Sequence, residues 1–161
     1  MPNSGSKKVF LNAVAVVCMS ACIIDIALLY FFGKQIPGYN QLTDSISSMG
    51  ISASPVSGMA NTWSVTLGII FILFSFGFRV AFMKYSRKAT IAFWLITLYG
   101  LGEGIASGLL KADHMNGVST VTAFLHDITG GVGVTAILVL PLINMKIFTK
   151  EVFPVFFRFS G

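Results

Sequence analysis

The sequence predicts an all-α integral membrane protein, a single transmembrane domain (residues 1–161) in which four helices form a bundle. Hydrophobic residues make up 55% of the chain and charged residues 11%, whereas about a quarter of the residues of a soluble domain are charged. Four apolar stretches have 20 to 23 residues each, and about 20 helical residues are needed to cross the hydrocarbon core of a bilayer. The predicted spans are residues 10–32, 62–82, 91–110 and 123–144.

The distribution of the basic residues predicts how the bundle is oriented. Nine of the eleven Lys and Arg residues lie at the N-terminus, around the second connection or at the C-terminus, and only Lys34 and Lys111 lie in the first and third connections. Basic residues are enriched on the cytoplasmic side. Both termini are therefore predicted to be cytoplasmic (N-in, C-in), with the first and third connections external. The net charge of +5 reflects this orientation, and no nucleic-acid partner is predicted.

The first span is predicted to be a retained helix. Lys7 and Lys8 precede an apolar run, as in a signal peptide, but the run continues to residue 32. The apolar region of a signal peptide has only about 7–15 residues.

The first external connection, residues 33–61, is the longest. Asn40 is a suitable N-cap, and Leu42, Ile46 and Met49 follow at spacings that place them on one face of a helix. This pattern predicts a short amphipathic helix at the outer surface of the membrane. An irregular, Ser-rich loop is the alternative.

Small residues at regular intervals predict where the later helices pack. Glycine at every fourth position lets a second helix approach closely in a membrane. The predicted packing positions are Gly100, Gly104 and Gly108 in the third span and Gly130 and Gly133 in the fourth.

Four ionisable residues, Asp25, Glu103, His126 and Asp127, lie inside the predicted spans. The helical rise places Asp25 and Glu103 roughly 10 Å below the external surface, and His126 and Asp127 roughly 5–7 Å below it. Charged residues inside a span are costly and usually face the bundle interior or water. We therefore expect an outward-facing polar pocket that binds a lipid headgroup or another small polar ligand, with Glu103 and His126 at its centre.

Three other functions stay open at this stage. In a structural scaffold, Glu103 would only clamp one helix to another. In a proton- or cation-coupled carrier, Asp25 and Glu103 would titrate, and a homo-oligomer or further spans would be needed. In a membrane hydrolase or lipid-modifying enzyme, His126 would act with nearby carboxylates. The expected partners are the lipid bilayer, a lipid or small polar ligand and, for the carrier, a second copy of the chain.

The hydrolase alternative has two versions. Asp113, His114 and His126 are the candidate ligands of a catalytic zinc, which needs three protein ligands and an open position. No zinc-protease motif accompanies them, so no cofactor is predicted and zinc remains an alternative. In the second version, a serine of the first connection is the nucleophile beside His126; the candidates are Ser45, Ser47 and Ser48.

One part of the sequence resembles a known family. The turn at residues 37–39 (PGY), the segment 46–50 (ISSMG) and Asn61 resemble a bacterial membrane family called domain of unknown function 998, and the similarity extends over most of residues 9–145. The resemblance implies a multi-pass protein of the bacterial inner membrane. Members commonly have six spans, so residues 150–161 stand where a fifth would begin. Distant similarity of that family to Frag-like and DRAM-like proteins implies lipid handling.

Overall fold

A computed structural model describes residues 4–115, 118–149 and 154. It contains four helices that are long and apolar enough to cross a membrane, which confirms the predicted all-α class and the predicted number of candidate spans. Each helix extends beyond its predicted span at one end or both. The helices are α1 (Ser4–Lys34), α2 (Ser57–Phe82), α3 (Ala89–Leu109) and α4 (Val121–Met145).

The helices pack in chain order. Helix α2 lies against α1 and α3, and α3 lies between α2 and α4. The first and third connections meet at one end of the bundle, where the Ser52 backbone N–H donates to Asp113 Oδ1 over 2.7 Å. We call this the loop end. The short second connection lies at the opposite end.

A cluster of buried apolar side chains fills each end of the bundle. At the loop end, Phe32, Met49 and Val56 pack together, so the first connection is anchored to α1. Between the two ends, the buried hydroxyls of Ser75 and Thr97 hydrogen-bond over 2.9 Å and join α2 to α3. The opposite end is filled by Phe78, Ala89, Ala92, Ile96 and Ile147.

The first connection differs from the predicted amphipathic helix. A single 3-10 turn, Ile46–Met49, forms there. Leu42 lies in a separate turn and is 94% exposed, whereas Met49 is 1% exposed. The Ser45 hydroxyl accepts a hydrogen bond from the Ser47 N–H, and the Ser48 hydroxyl donates to the Ser45 carbonyl. Such bonds between serine side chains and the backbone compete with regular helix, which explains the short turn.

Helix α3 also departs from the regular α-helix that the four-residue glycine spacing implied. Residues Gly100–Ala106 form a π-helix between two α-helical segments. The Ser107 N–H therefore bonds to the Gly102 carbonyl as well as to that of Gly104. Two hydroxyls add to this pattern, because Ser107 Oγ donates to the Gly102 carbonyl over 3.1 Å and Ser64 Oγ donates to the Gly104 carbonyl over 2.9 Å. π-Helical turns occur frequently at functional sites.

The glycines of α3 let it contact both neighbouring helices at backbone distance. A Cβ atom added to Gly68 of α2 would lie 2.5 Å from the Gly100 carbonyl oxygen and 3.0 Å from Gly104 Cα. On the other side of α3, a Cβ on Gly133 of α4 would lie 2.8 Å from the Glu103 backbone nitrogen. Neither interface has room for a side chain at these positions.

Two short paired strands that the sequence did not predict lie in the third connection. Strand β1 (His114–Met115) pairs antiparallel with β2 (Val118–Ser119). Residues 150–161, where the family resemblance would place a fifth span, lie outside the described residues apart from residue 154.

Candidate functional site

A cavity of about 160 Å³ lies within the bundle near the loop end. All four helices and the first connection contribute to its wall. Three of the four ionisable residues singled out in the sequence line it, one each from α1, α3 and α4. The polar side chains in the wall are Asp25, Ser47, Asn61, Ser64, Tyr99, Glu103, Ser107, Lys111 and His126.

Glu103 reaches the cavity from the π-helical segment of α3. Its side chain runs along α4, because a Cβ on Gly133 would lie 3.3 Å from Glu103 Cβ and one on Gly130 would lie 2.9 Å from Glu103 Oε2. The two glycines of α4 thus provide the space for this carboxylate, which extends toward the turn of α4 that carries His126. Among the described residues, none donates a hydrogen bond to the Glu103 carboxylate.

Hydrogen bonds fix the position of His126, which is 8% exposed. Its Nδ1 lies 2.7 Å from the Leu110 carbonyl oxygen, and its Nε2 lies 3.2 Å from Ser47 Oγ. A carbonyl oxygen only accepts hydrogen bonds, so Nδ1 carries the proton. In the neutral ring Nε2 is then the acceptor, and the Ser47 hydroxyl donates to it.

Asp25 enters the cavity from α1 and is joined to α2. The indole Nε1–H of Trp63 donates to Asp25 Oδ1 over 2.8 Å. Trp63, Phe71 and Tyr99 also line the cavity, and the rings of Phe71 and Tyr99 meet edge to face with centroids 4.9 Å apart. One side of the cavity therefore combines a carboxylate with aromatic surface.

Beside the loop end of the cavity, polar contacts join the first connection to the third connection and to α2. Lys111 Nζ donates to Ser52 Oγ over 3.2 Å, and that hydroxyl donates to Asp113 Oδ2 over 2.6 Å. Asn61 Nδ2 and Ser57 Oγ both donate to the Gly50 carbonyl, over 3.0 and 2.9 Å. These bonds hold the first connection, and with it Ser47, over the cavity.

The remaining candidates lie elsewhere. Asp127 is exposed on α4 and does not line the cavity. Asp113 accepts hydrogen bonds from the backbone N–H and the hydroxyl of Ser52, where the first and third connections meet. The side chain of His114 lies outside the described part of the chain. Within the described ranges, no three His, Cys, Asp or Glu side chains come together in a group that could hold a metal ion.

Sequence reasoning did not identify several residues of this wall. No pattern in the sequence indicates the bond from Trp63 to Asp25, which is 38 positions away. The contact between Ser47 and His126 joins residues 79 positions apart, and Ser45 and Ser48 were equally plausible partners. One usable signal is present in the sequence. Every fourth residue from Tyr99 to Lys111 is polar or ionisable (Tyr99, Glu103, Ser107 and Lys111), and all four residues line the cavity.

Comparison with known proteins assigns the chain to a family. A protein family described as "Protein of unknown function (DUF998)" matches residues 13–158, nearly the whole chain. No curated protein and no solved structure shows significant similarity to the chain. The matched range includes every residue of the cavity wall and most or all of each of the four helices. The chain therefore belongs to the DUF998 family of multi-pass membrane proteins.

Proposed function

We propose that this protein binds the polar group of a membrane lipid, or of a similar small amphiphile, in the cavity at the loop end. The observation that carries the proposal is the Glu103 carboxylate. It borders a cavity inside the bundle, and no described residue donates a hydrogen bond to it. A half-buried carboxylate is costly without a partner, and a bound hydrogen-bond donor would supply one.

The chemistry of the wall favours a ligand that carries an amine. Glu103 and Asp25 are hydrogen-bond acceptors when ionised, and an ammonium group satisfies them with up to three N–H donors. Trp63, Phe71 and Tyr99 present aromatic surface beside the carboxylates, and aromatic faces attract cations within about 6 Å. A cavity of about 150 Å³ holds a benzene molecule in another protein, so about 160 Å³ suits an ethanolamine-sized group.

The orientation of the cavity is part of the same proposal. Nine of eleven basic residues lie at the N-terminus, around the second connection or at the C-terminus, which favours an external loop end. Leu42 (94% exposed) marks the loop end and the exposed Lys84 marks the opposite end. On intact cells, a membrane-impermeant maleimide is expected to label Leu42→Cys and to spare Lys84→Cys. The reverse pattern would invert the proposed orientation.

The test of binding is native mass spectrometry of the full chain released from detergent. The protein is titrated with phosphatidylethanolamine, with phosphatidylglycerol as the lipid without an amine, and with ethanolamine alone as the soluble source of the same group. The comparison is Glu103→Gln against Asp127→Asn. Both changes neutralise one carboxylate, but Asp127 is exposed and outside the cavity wall. The same spectra count the subunits and so test the predicted homo-oligomer.

We expect wild type and Asp127→Asn to retain phosphatidylethanolamine in preference to phosphatidylglycerol. Glu103→Gln should bind at least about tenfold more weakly, because a hydrogen bond to a charged group is worth about 1.5–3 kcal/mol. Binding of ethanolamine alone would identify a soluble amine as sufficient. Equal retention of both lipids by all three proteins would refute the proposal and favour a structural scaffold.

A further inference from the structure

The Ser47 and His126 side chains have the arrangement of an activated nucleophile and its base. Ser47 Oγ lies 3.2 Å from His126 Nε2, and His126 Nδ1 lies 2.7 Å from the Leu110 carbonyl. Activated serines in enzymes have a base within about 2.6–3.2 Å, and a third group orients that base. Here the backbone carbonyl is the third group. It holds the proton on Nδ1 and leaves Nε2 free to accept the serine proton.

The 3-10 turn distinguishes Ser47 from its neighbours. Ser45 Oγ accepts the N–H of Ser47, and Ser48 Oγ donates to the Ser45 carbonyl over 2.6 Å. Both side chains are used to build the turn, whereas the Ser47 hydroxyl bonds to the imidazole. Ser47 and His126 also line the cavity and the other two serines do not. A ligand in the cavity therefore meets the Ser47 hydroxyl and the base together.

We propose that Ser47 and His126 form a catalytic dyad that cleaves a carboxylic ester of an amphiphile bound in the cavity. The inference rests on the proposed function, because the same cavity must hold the substrate. The class of substrate is an acyl ester, the bond that joins acyl chains to a lipid headgroup region. The reaction uses water as the second reactant and needs no metal.

The reaction has two balanced steps. In the first, Ser47 Oγ bonds to the ester carbonyl carbon, its proton passes to His126 Nε2, and the alcohol leaves with that proton as the ester C–O bond breaks. In the second, water gives a proton to His126 Nε2 and its oxygen bonds to the acyl carbon. The acyl–Ser47 bond breaks, the acid leaves, and the proton returns to Ser47. Lys111, the cation in the described cavity wall, offsets the charge on the tetrahedral intermediate.

A fluorophosphonate with an alkyl chain tests the dyad without knowledge of the natural ester. The probe forms a bond between Ser47 Oγ and phosphorus, releases fluoride, and sends the serine proton to His126. The full chain in detergent micelles is treated with the probe, and peptide mass spectrometry locates the adduct. The variants are Ser47→Ala and His126→Ala. Ser54→Ala is the matched control, because Ser54 is a partly exposed serine of the same connection and lies outside the cavity wall.

We expect an adduct on Ser47 in wild type and Ser54→Ala, and none in Ser47→Ala. The labelling rate of His126→Ala should fall at least about 100-fold, the usual contribution of a general base. The serine variants alone decide the result if His126→Ala does not fold. An unlabelled wild type, or a Ser47→Ala variant labelled as fast as wild type, would overturn the dyad.

The outcome separates this inference from the proposed function. If wild type is unlabelled but retains phosphatidylethanolamine in a manner that depends on Glu103, the cavity binds a ligand and the dyad is refuted alone. If labelling and lipid retention are both absent, both proposals fail.

Discussion

The contact of α2 with α3 predicts a large effect for one added methyl group, in Gly68→Ala. The new Cβ would lie 2.5 Å from the Gly100 carbonyl oxygen, 2.8 Å from the Ile105 backbone nitrogen and 3.0 Å from Gly104 Cα. All three atoms belong to the backbone, so no side chain can rotate away. The shortest contact must lengthen by about 0.5 Å to reach the 3.0 Å that real Cβ contacts respect, and the two helices must therefore separate.

The expected cost follows from two opposing terms. Overpacking a close interface costs about 1–3 kcal/mol, and we expect the upper part of that range, about 2–3 kcal/mol, because all three close atoms belong to the backbone. Replacing glycine by alanine inside a helix returns about 0.8–1 kcal/mol. We expect a net loss of about 1–2 kcal/mol in the free energy of unfolding. For a chain of this size that corresponds to a fall in Tm of about 2–8 °C.

The assay is thermal unfolding in detergent, followed by tryptophan fluorescence. Gly58→Ala is the matched control, because it makes the same change in the same helix and no heavy atom lies within 4 Å of its Cβ. Its Tm should stay at or slightly above that of wild type. If both variants melt together with wild type, α2 and α3 are not in backbone contact at Gly68 and the reasoning is refuted.

Two further predictions concern the cavity. Gly130→Ala should displace the Glu103 carboxylate, because the new Cβ of residue 130 would lie 2.9 Å from Glu103 Oε2. We expect phosphatidylethanolamine to bind about fivefold more weakly, which corresponds to the loss of a hydrogen bond of about 1 kcal/mol. Gly131→Ala, with no heavy atom within 4 Å of its Cβ, should bind as wild type does; equal binding by both variants would contradict the position of the carboxylate. Trp63→Phe removes the 2.8 Å bond to Asp25 and should lower the free energy of unfolding by about 1–3 kcal/mol. Trp94 is exposed, so Trp94→Phe should leave the Tm in detergent unchanged. An equal fall in Tm in both variants would show that the smaller ring, and not the lost hydrogen bond to Asp25, causes the loss of stability.

The four spans could be predicted because hydropathy adds up over about 20 residues and tolerates local exceptions. The depth of a residue along its helix could also be predicted, since it depends only on the helical rise. It brought Asp25, Glu103 and His126 to a common level, and all three line the cavity. Depth does not distinguish the faces of a helix, however. Asp127 follows His126 by one residue, which is about 100° around the helix, and it lies on the exposed side.

The parts that could not be predicted depend on contacts between distant segments. The π-helical segment forms where α3 has glycine contacts with Gly68 on one side and Gly133 on the other, and a single sequence does not reveal which neighbours will press on a helix. The place of the first connection depends on Met49 entering the apolar cluster with Phe32. Local spacing had grouped Met49 with Leu42, which is 94% exposed.

The π-helical segment makes the length of α3 as important as its composition. A π-helical hydrogen bond spans five residues where an α-helical bond spans four, so this segment holds an extra residue between its two ends. Deleting one residue between Gly100 and Ala106 would let α3 become a regular α-helix with both ends in place. Gly108, where a Cβ would lie 2.7 Å from the Asn61 carbonyl oxygen, would still face α2, but the contacts of Gly100 and Gly104 with α2 and of Glu103 with α4 could not all be kept. Relatives that keep the cavity are therefore expected to keep the residue count of this segment, even where the connections vary in length.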